Sequence, residues 1–253
     1  MEITYADISW LADRWELGDA WCLTFLRGLE EAEALRRLGA AEESIRPLSY
    51  RELTDSGLFP HTVLAGRLKG WVVLIERNGS KATEPDAMRA LSAGTELVSV
   101  LRHDYATDLF VYAIDRDRLT SFDPRKPAWR YGSDPDRLLD AMREVGVDPT
   151  YLPGGDVAGD EDISTGAPTM SEALMLAARL TGVVLTPEVL NGPLVGGVVG
   201  SQADDSLEEG DGQQGTTSHT TAGLFAAIRR DDPQQVNPDE ASAQAQAAAD
   251  GGH

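Results

Sequence analysis

The sequence predicts an α+β fold in which an antiparallel β-meander sheet is packed by helices and followed by a disordered acidic C-terminal tail. Three observations carry that prediction. The stretch Gly70-Trp71-Val72-Val73-Leu74-Ile75-Glu76 is an apolar run rich in β-branched residues and closed by the turn signal Asn78-Gly79, the composition of a strand leading into a tight turn. Three further strand-like runs follow at Thr95–Leu101, Asp108–Ile114 and Arg118–Phe122, joined by polar turns. Their spacing is that of a meander with a helix inserted after its first strand. From about Gly200 onward the residues are mostly Ser, Gln, Gly, Asp, Glu and Ala, too poor in apolar side chains to offset the entropy of ordering the chain.

Before the meander, Ile8, Leu11, Ala12 and Trp15 recur at helical spacing, with Asp7 placed to cap them and Gly18 ending the segment. Trp21-Cys22-Leu23-Thr24-Phe25-Leu26 reads as a strand. Trp10, Trp15 and Trp21 crowd this region, and they are expected to pack helix on sheet rather than to form an aromatic ligand cradle. Cys22 is expected to be a buried, inert thiol, because nothing near it in sequence would stabilise a thiolate. Glu30–Leu38 forms a helix with acids at its start, Arg36 and Arg37 in its last turn and Gly39 just beyond, an order that complements the helix dipole. Ser49–Leu53 supplies a short helical turn, and the loop Ser56–His61 leads into an apolar run, Thr62–Leu68. In the first meander strand Trp71, Val73 and Ile75 share one face, taken as the core face.

Helix starts are marked by three similar boxes. Thr83-Glu84-Pro85-Asp86 precedes Met88 and Leu91, Ser133-Asp134-Pro135-Asp136 precedes Leu138, Leu139, Met142 and Val145, and Thr169-Met170-Ser171-Glu172 precedes Ala173, Leu174, Leu176, Ala177 and Leu180. Between the last two boxes, Gly154–Pro168 is rich in Gly, Asp and small residues and reads as a linker. The resulting layout is an α+β domain over 1–150, a flexible linker over 151–168, a helical appendage over 169–195 and an acidic tail over 196–253. The appendage is too small to fold alone and is expected to dock on the domain or on a partner. Leu224, Phe225 and Ile228 form an apolar island in the tail that would share one face as a helix.

A formal net charge of −20 over 253 residues argues against a nucleic acid or an anionic membrane as partner; it is compatible with a basic partner and reads first as a solvated acidic surface that keeps the protein soluble. One cysteine excludes an intrachain disulfide and points to a reducing compartment. The acidic N-terminus lacks the pattern of a signal peptide, and the longest apolar stretch, Val183–Val199, is broken by Pro187, Glu188 and Pro193. A cytoplasmic protein is expected. There is no phosphate-binding glycine loop, no nucleophile elbow, no zinc-protease helix and no paired Cys-x-x-Cys. The four histidines, His61, His103, His219 and His253, have no metal-ligand spacing, so neither metal nor cofactor is expected. The carboxylate–histidine grouping that the meander could assemble is His103-Asp104 with Glu76 or Asp123, and His61 is a further loop histidine able to act as acid or base. Against this weak catalytic set stands the loop Lys126–Gly132, where Trp129, Arg130 and Tyr131 are of the types that anchor protein interfaces.

Several of these pieces together resemble a known family. Trp15, Cys22-Leu23-Thr24-Phe25, Leu38-Gly39, the stretch Gly70–Gly79, Leu91-Ser92, Gly94-Thr95-Glu96 and Phe122-Asp123-Pro124 are similar to the actinobacterial family catalogued as domain of unknown function 6461, over roughly residues 5–148. The resemblance implies no activity, cofactor or catalytic residue. On one strand and its turn, Trp71–Gly79 is also similar to small α+β immunity-type proteins of bacterial conflict systems. The expected function is a non-enzymatic protein-interaction module, immunity-type or adaptor, whose partner is another protein. The alternative is a small-molecule-binding or hydrolytic enzyme with a cleft at the meander turns.

Overall fold

A computed structural model of the chain describes residues 3–13, 17–103, 107–152 and 169–200. Trp15, Asp104, the expected linker beyond Leu152, His219, His253 and the Leu224–Ile228 island lie outside these residues. Among the described residues nine strands form one sheet: β1 (Trp21–Arg27), β2 (Arg46–Pro47), β3 (Thr62–Leu68), β4 (Trp71–Arg77), β5 (Glu96–Arg102), β6 (Leu109–Ile114), β7 (Asp117–Phe122), β8 (Arg130–Tyr131) and β9 (Val195–Val198). Across the sheet they run β2-β9-β3-β4-β1-β5-β6-β7-β8, and every neighbouring pair is antiparallel. The helices are α1 (Tyr5–Asp13), α2 (Glu31–Leu38), α3 (Tyr50–Asp55), α4 (Pro85–Leu91), α5 (Leu139–Glu144), α6 (Met170–Thr181) and α7 (Pro187–Leu190). None is long and apolar enough to cross a membrane.

The expected meander begins one strand later than the sequence suggests. β5 to β8 follow one another across the sheet, but β1 lies between β4 and β5. Since β1 is antiparallel to both, β4 and β5 run parallel. No hairpin can join parallel strands; they need a crossover of a dozen or more residues, usually carrying a helix. The helix α4 between β4 and β5 is that crossover.

Helices cover both faces of the sheet. On one face Trp21, Leu23, Phe25, Trp71, Val73, Ile75, Val98, Val100, Phe110 and Phe122 pack with Ile8 and Leu11 of α1, Met142 of α5, and Ala173, Leu174 and Ala177 of α6. On the other, Cys22, Leu26, Val63, Ala65, Val72, Leu74, Leu97 and Val111 pack with Ala34, Leu35 and Leu38 of α2 and Met88 and Leu91 of α4. The face of Trp71 is thus one of two cores. Unbroken apolar runs such as Trp71–Ile75 are what double-sided burial requires, since no position of that run faces water.

One of the three helix boxes caps as predicted. Thr169 Oγ1 accepts from the N–H of Ser171 at 3.2 Å, and Glu172 accepts from the N–H of Thr169 at 2.8 Å. At the first box, Thr83 belongs to a 3₁₀ turn and its hydroxyl donates back to the Ser80 carbonyl at 2.7 Å, while α4 starts after Glu84 without a side-chain cap. At the second, Ser133 donates to Asp117 on β7 at 2.6 Å, and α5 starts only after Leu138. Asp7 likewise lies inside the first turn of α1, accepting the N–H of Thr4 at 2.8 Å.

Residues 169–199 share the packing of the preceding chain. α6 lies among the first-face core residues, and β9 fills the space between β2 and β3. At Gly196 an added Cβ would sit 2.5 Å from Cδ2 of Leu48, so this strand fits between its neighbours only without a side chain there.

Candidate functional site

Three strands end together at one end of the sheet. The register places Arg77, the last residue of β4, opposite Trp21, the first of β1, which also faces Arg102 at the end of β5. Beyond them the turn Asn78–Ser80, the loop Gly18–Ala20 and His103 enclose a cleft of about 440 Å³ that Arg77 also lines. Asn78 takes a left-handed φ of 53°, a conformation asparagine tolerates, and its backbone N–H donates to the Ala20 carbonyl at 2.9 Å. That bond ties the turn to the loop.

Arg77 is set differently from most other arginines described. Its guanidinium carbon lies 4.4 Å from the centroid of the Phe59 ring, a cation–π contact. Its side chain makes no hydrogen bond or ion pair with any described residue, and its Nε is buried without an acceptor. The indole N–H of Trp21, its register partner, is buried without an acceptor as well. A second, larger cavity of about 670 Å³ lies between α1, α5 and α6, but there Arg179 and Glu144 neutralise one another at 2.6 Å.

Behind the turn sits Glu76, fully buried on the second face of the sheet. Its carboxylate accepts the backbone N–H groups of Lys81 at 2.7 Å and Ala82 at 3.1 Å. Burial outweighs these bonds and pushes its pKa up to about 7. Its strand neighbour Cys22 has Sγ 3.2 Å from Ser99 Oγ, and Ser99 is 2.8 Å from Thr24 Oγ1. Burial first, and the charge of Glu76 second, push the thiol far up. Cys22 is therefore the inert core thiol expected.

The sequence-predicted acid–base residues have these places. His103 lines the cleft, and its backbone N–H donates to Asp108 at 2.9 Å. Glu76 is committed to the 3₁₀ turn behind the cleft. Asp123 accepts the backbone N–H of Arg125 at 2.9 Å and faces its guanidinium at 3.8 Å. His61 is exposed at the start of β3, its carbonyl accepting from Val199 at 2.7 Å. The grouping of His103 with Glu76 or Asp123 thus has its carboxylates engaged elsewhere.

On the interaction loop, Trp129 is 53% exposed and Tyr131 39%. Arg130 is turned inward, with its side chain 13% exposed. It donates to the carbonyls of Pro127 at 2.5 Å and Pro149 at 2.6 Å, and pairs with Asp136 at 2.7 Å. It fastens the loop rather than presenting itself to solvent. Just after it, Gly132 has a φ of 140°, and a Cβ there would meet the Leu119 carbonyl oxygen at 2.3 Å, so only glycine lets the loop lie this close to β7.

Arg77 is the site residue that sequence reading missed. It stands inside the stretch 70–79 that organises the prediction, and the signal was a cation that follows Glu76 at the end of the apolar run, directly before the Asn78-Gly79 turn. Its stacking partner, Phe59, is distant in the chain and could be placed beside it only by folding. No curated protein and no solved structure matches the chain. A family model matches residues 1–194, well past the 5–148 of the sequence resemblance, and the chain belongs to that family of unknown function, DUF6461.

Proposed function

We propose that the protein is a non-enzymatic interaction module that engages another protein through Trp129 and Tyr131. The observation that carries this reading is the exposed indole of Trp129 on a loop that Arg130 ties to the carbonyls of Pro127 and Pro149. A large ring held in advance loses little entropy on binding, which is why such residues dominate interface energetics. Lys126 Nζ lies 5.7 Å from the Trp129 centroid and flanks the ring with charge. The net charge of −20 favours a basic partner, steering it at low salt. The chain's single cysteine, a buried free thiol, supports a reducing, cytoplasmic setting. The engagement of Glu76 by the 3₁₀ turn and of Asp123 by Arg125 supports binding over hydrolysis.

A photo-crosslinker placed at position 129 in the native host identifies the partner, and purified components then give the affinity. Trp129→Ala should weaken binding by at least about 30-fold, the loss expected on truncating a central aromatic anchor, with the melting temperature unchanged. Equal affinity of the wild-type and Trp129→Ala proteins would remove this loop from the interface and end the proposal.

A further inference from the structure

We propose that the cleft at the end of β4 is a binding site for a small monocarboxylate, held by the guanidinium of Arg77. A buried or half-buried cation in a folded protein ordinarily has an acid or a carbonyl as partner, because desolvating an unpaired donor costs free energy. Arg77 has neither among the described residues, although the chain carries 42 acidic residues. Its one contact of note, the Phe59 ring 4.4 Å from the guanidinium carbon, leaves the Nη1/Nη2 edge, which unlike Nε is not buried, to be satisfied by something else. That edge is the fork that matches two carboxylate oxygens. The contact with Phe59 restrains the guanidinium beforehand, which lowers the entropy lost on binding.

The cleft's other linings define the ligand further. Asn78 and Ser80 bring side-chain hydrogen-bonding groups, and His103 lines the wall. Asp19, on the opposite loop, is exposed and acidic, and Glu76 lies just behind Gly79, where an added Cβ would be 3.2 Å from its Oε2. With one guanidinium set against these acids, a singly charged carboxylate suits the site better than a dianionic phosphate. A volume of about 440 Å³ is at the small end of ligand pockets. This site is separate from the Trp129 loop, and either assignment can fail without the other.

The full chain is titrated with sodium propionate and, separately, with inorganic phosphate, at constant ionic strength held with chloride. The backbone amide resonances of Gly79 and Ser80 are followed. Propionate should shift both saturably in the millimolar range, and Arg77→Met should abolish the shift. Because the methionine removes an unpartnered cation while keeping an apolar stem against Phe59, that variant should melt no lower than the wild type, and by a few degrees higher. Arg77→Lys, which retains the charge but loses the fork, should weaken binding about tenfold or more. Several results overturn the proposal: no saturable shift with propionate, the same shift in Arg77→Met, saturation by phosphate alone, or a melting temperature several degrees lower in Arg77→Met, which would make the cation–π pair a structural device.

Discussion

Glu76 shows how much a single side chain can be forced to carry. It sits at the end of β4 on the second face, where α4 and the 3₁₀ turn Lys81–Thr83 shut out water, and it is held as the acceptor for two N–H groups of that turn. Its carboxyl titrates at about 7 in the folded protein against 4.5 in the free side chain. Between those values the native state binds the proton and the unfolded state does not, so stability falls as pH rises from about 4.5 to about 7 and is level beyond. At about 1.4 kcal/mol per pKa unit the whole effect is on the order of 3 kcal/mol. Denaturant titrations from pH 4.5 to 8 should show this decline in the wild type and a much flatter profile in Glu76→Gln. An unchanged slope in the variant would assign the pH dependence to other groups. Nothing in the sequence distinguishes Glu76 from a strand-ending surface acid. Only the crossover that lays Lys81 and Ala82 over it decides its burial. Cys22, by contrast, was legible from its apolar neighbours alone.

At the scale of elements, three boxes of similar spelling have three outcomes. The Thr169 box caps α6 reciprocally, and Thr169→Ala should cost about 1 kcal/mol of stability, measured by urea denaturation. The corresponding change at Thr83 or Ser133 has no cap to remove, because their hydroxyls are turned to Ser80 and Asp117. A cap requires the residue before the helix to be extended, as Thr169 is at φ −110° and ψ 175°. Thr83 sits inside a preceding turn, and Ser133 is drawn to β7 by the close approach at Gly132, so neither is available. Strands fared better. Each long run read from the sequence is a strand in the structure, within a residue or two at its ends, because alternation and turn residues are local. The order of those strands is not local, and the insertion of β1 between β4 and β5 shows it. The anchoring role of Arg130 is equally non-local, since the Pro149 carbonyl that receives it is 19 residues away.

For the molecule as a whole, β9 closes one side of the sheet by pairing with both β2 and β3. Chains ending after Leu194 and after Gly200 differ by this strand and the two residues that follow it. The shorter should lose most of its soluble yield or melt several degrees lower, because β3 would become an open edge over an exposed core; equal melting of the two chains would mean that β9 contributes nothing. The Val-Gly-Gly-Val of this strand gives almost no local signal, and its glycines are explained only by Leu48 and Ala40 lying against them. The sequence by itself determined the α+β class, the positions of the long strands and of α2 and α6, and the buried thiol. These follow from composition, periodicity and turn chemistry, which act over a few residues. Tertiary structure alone decided the crossover at α4, the double-sided core, the burial of Glu76, the inward turn of Arg130 and the unpartnered Arg77 beside Phe59. Each of these depends on segments far apart in the chain meeting in space, and the free energy of that meeting is not written in any one window of residues.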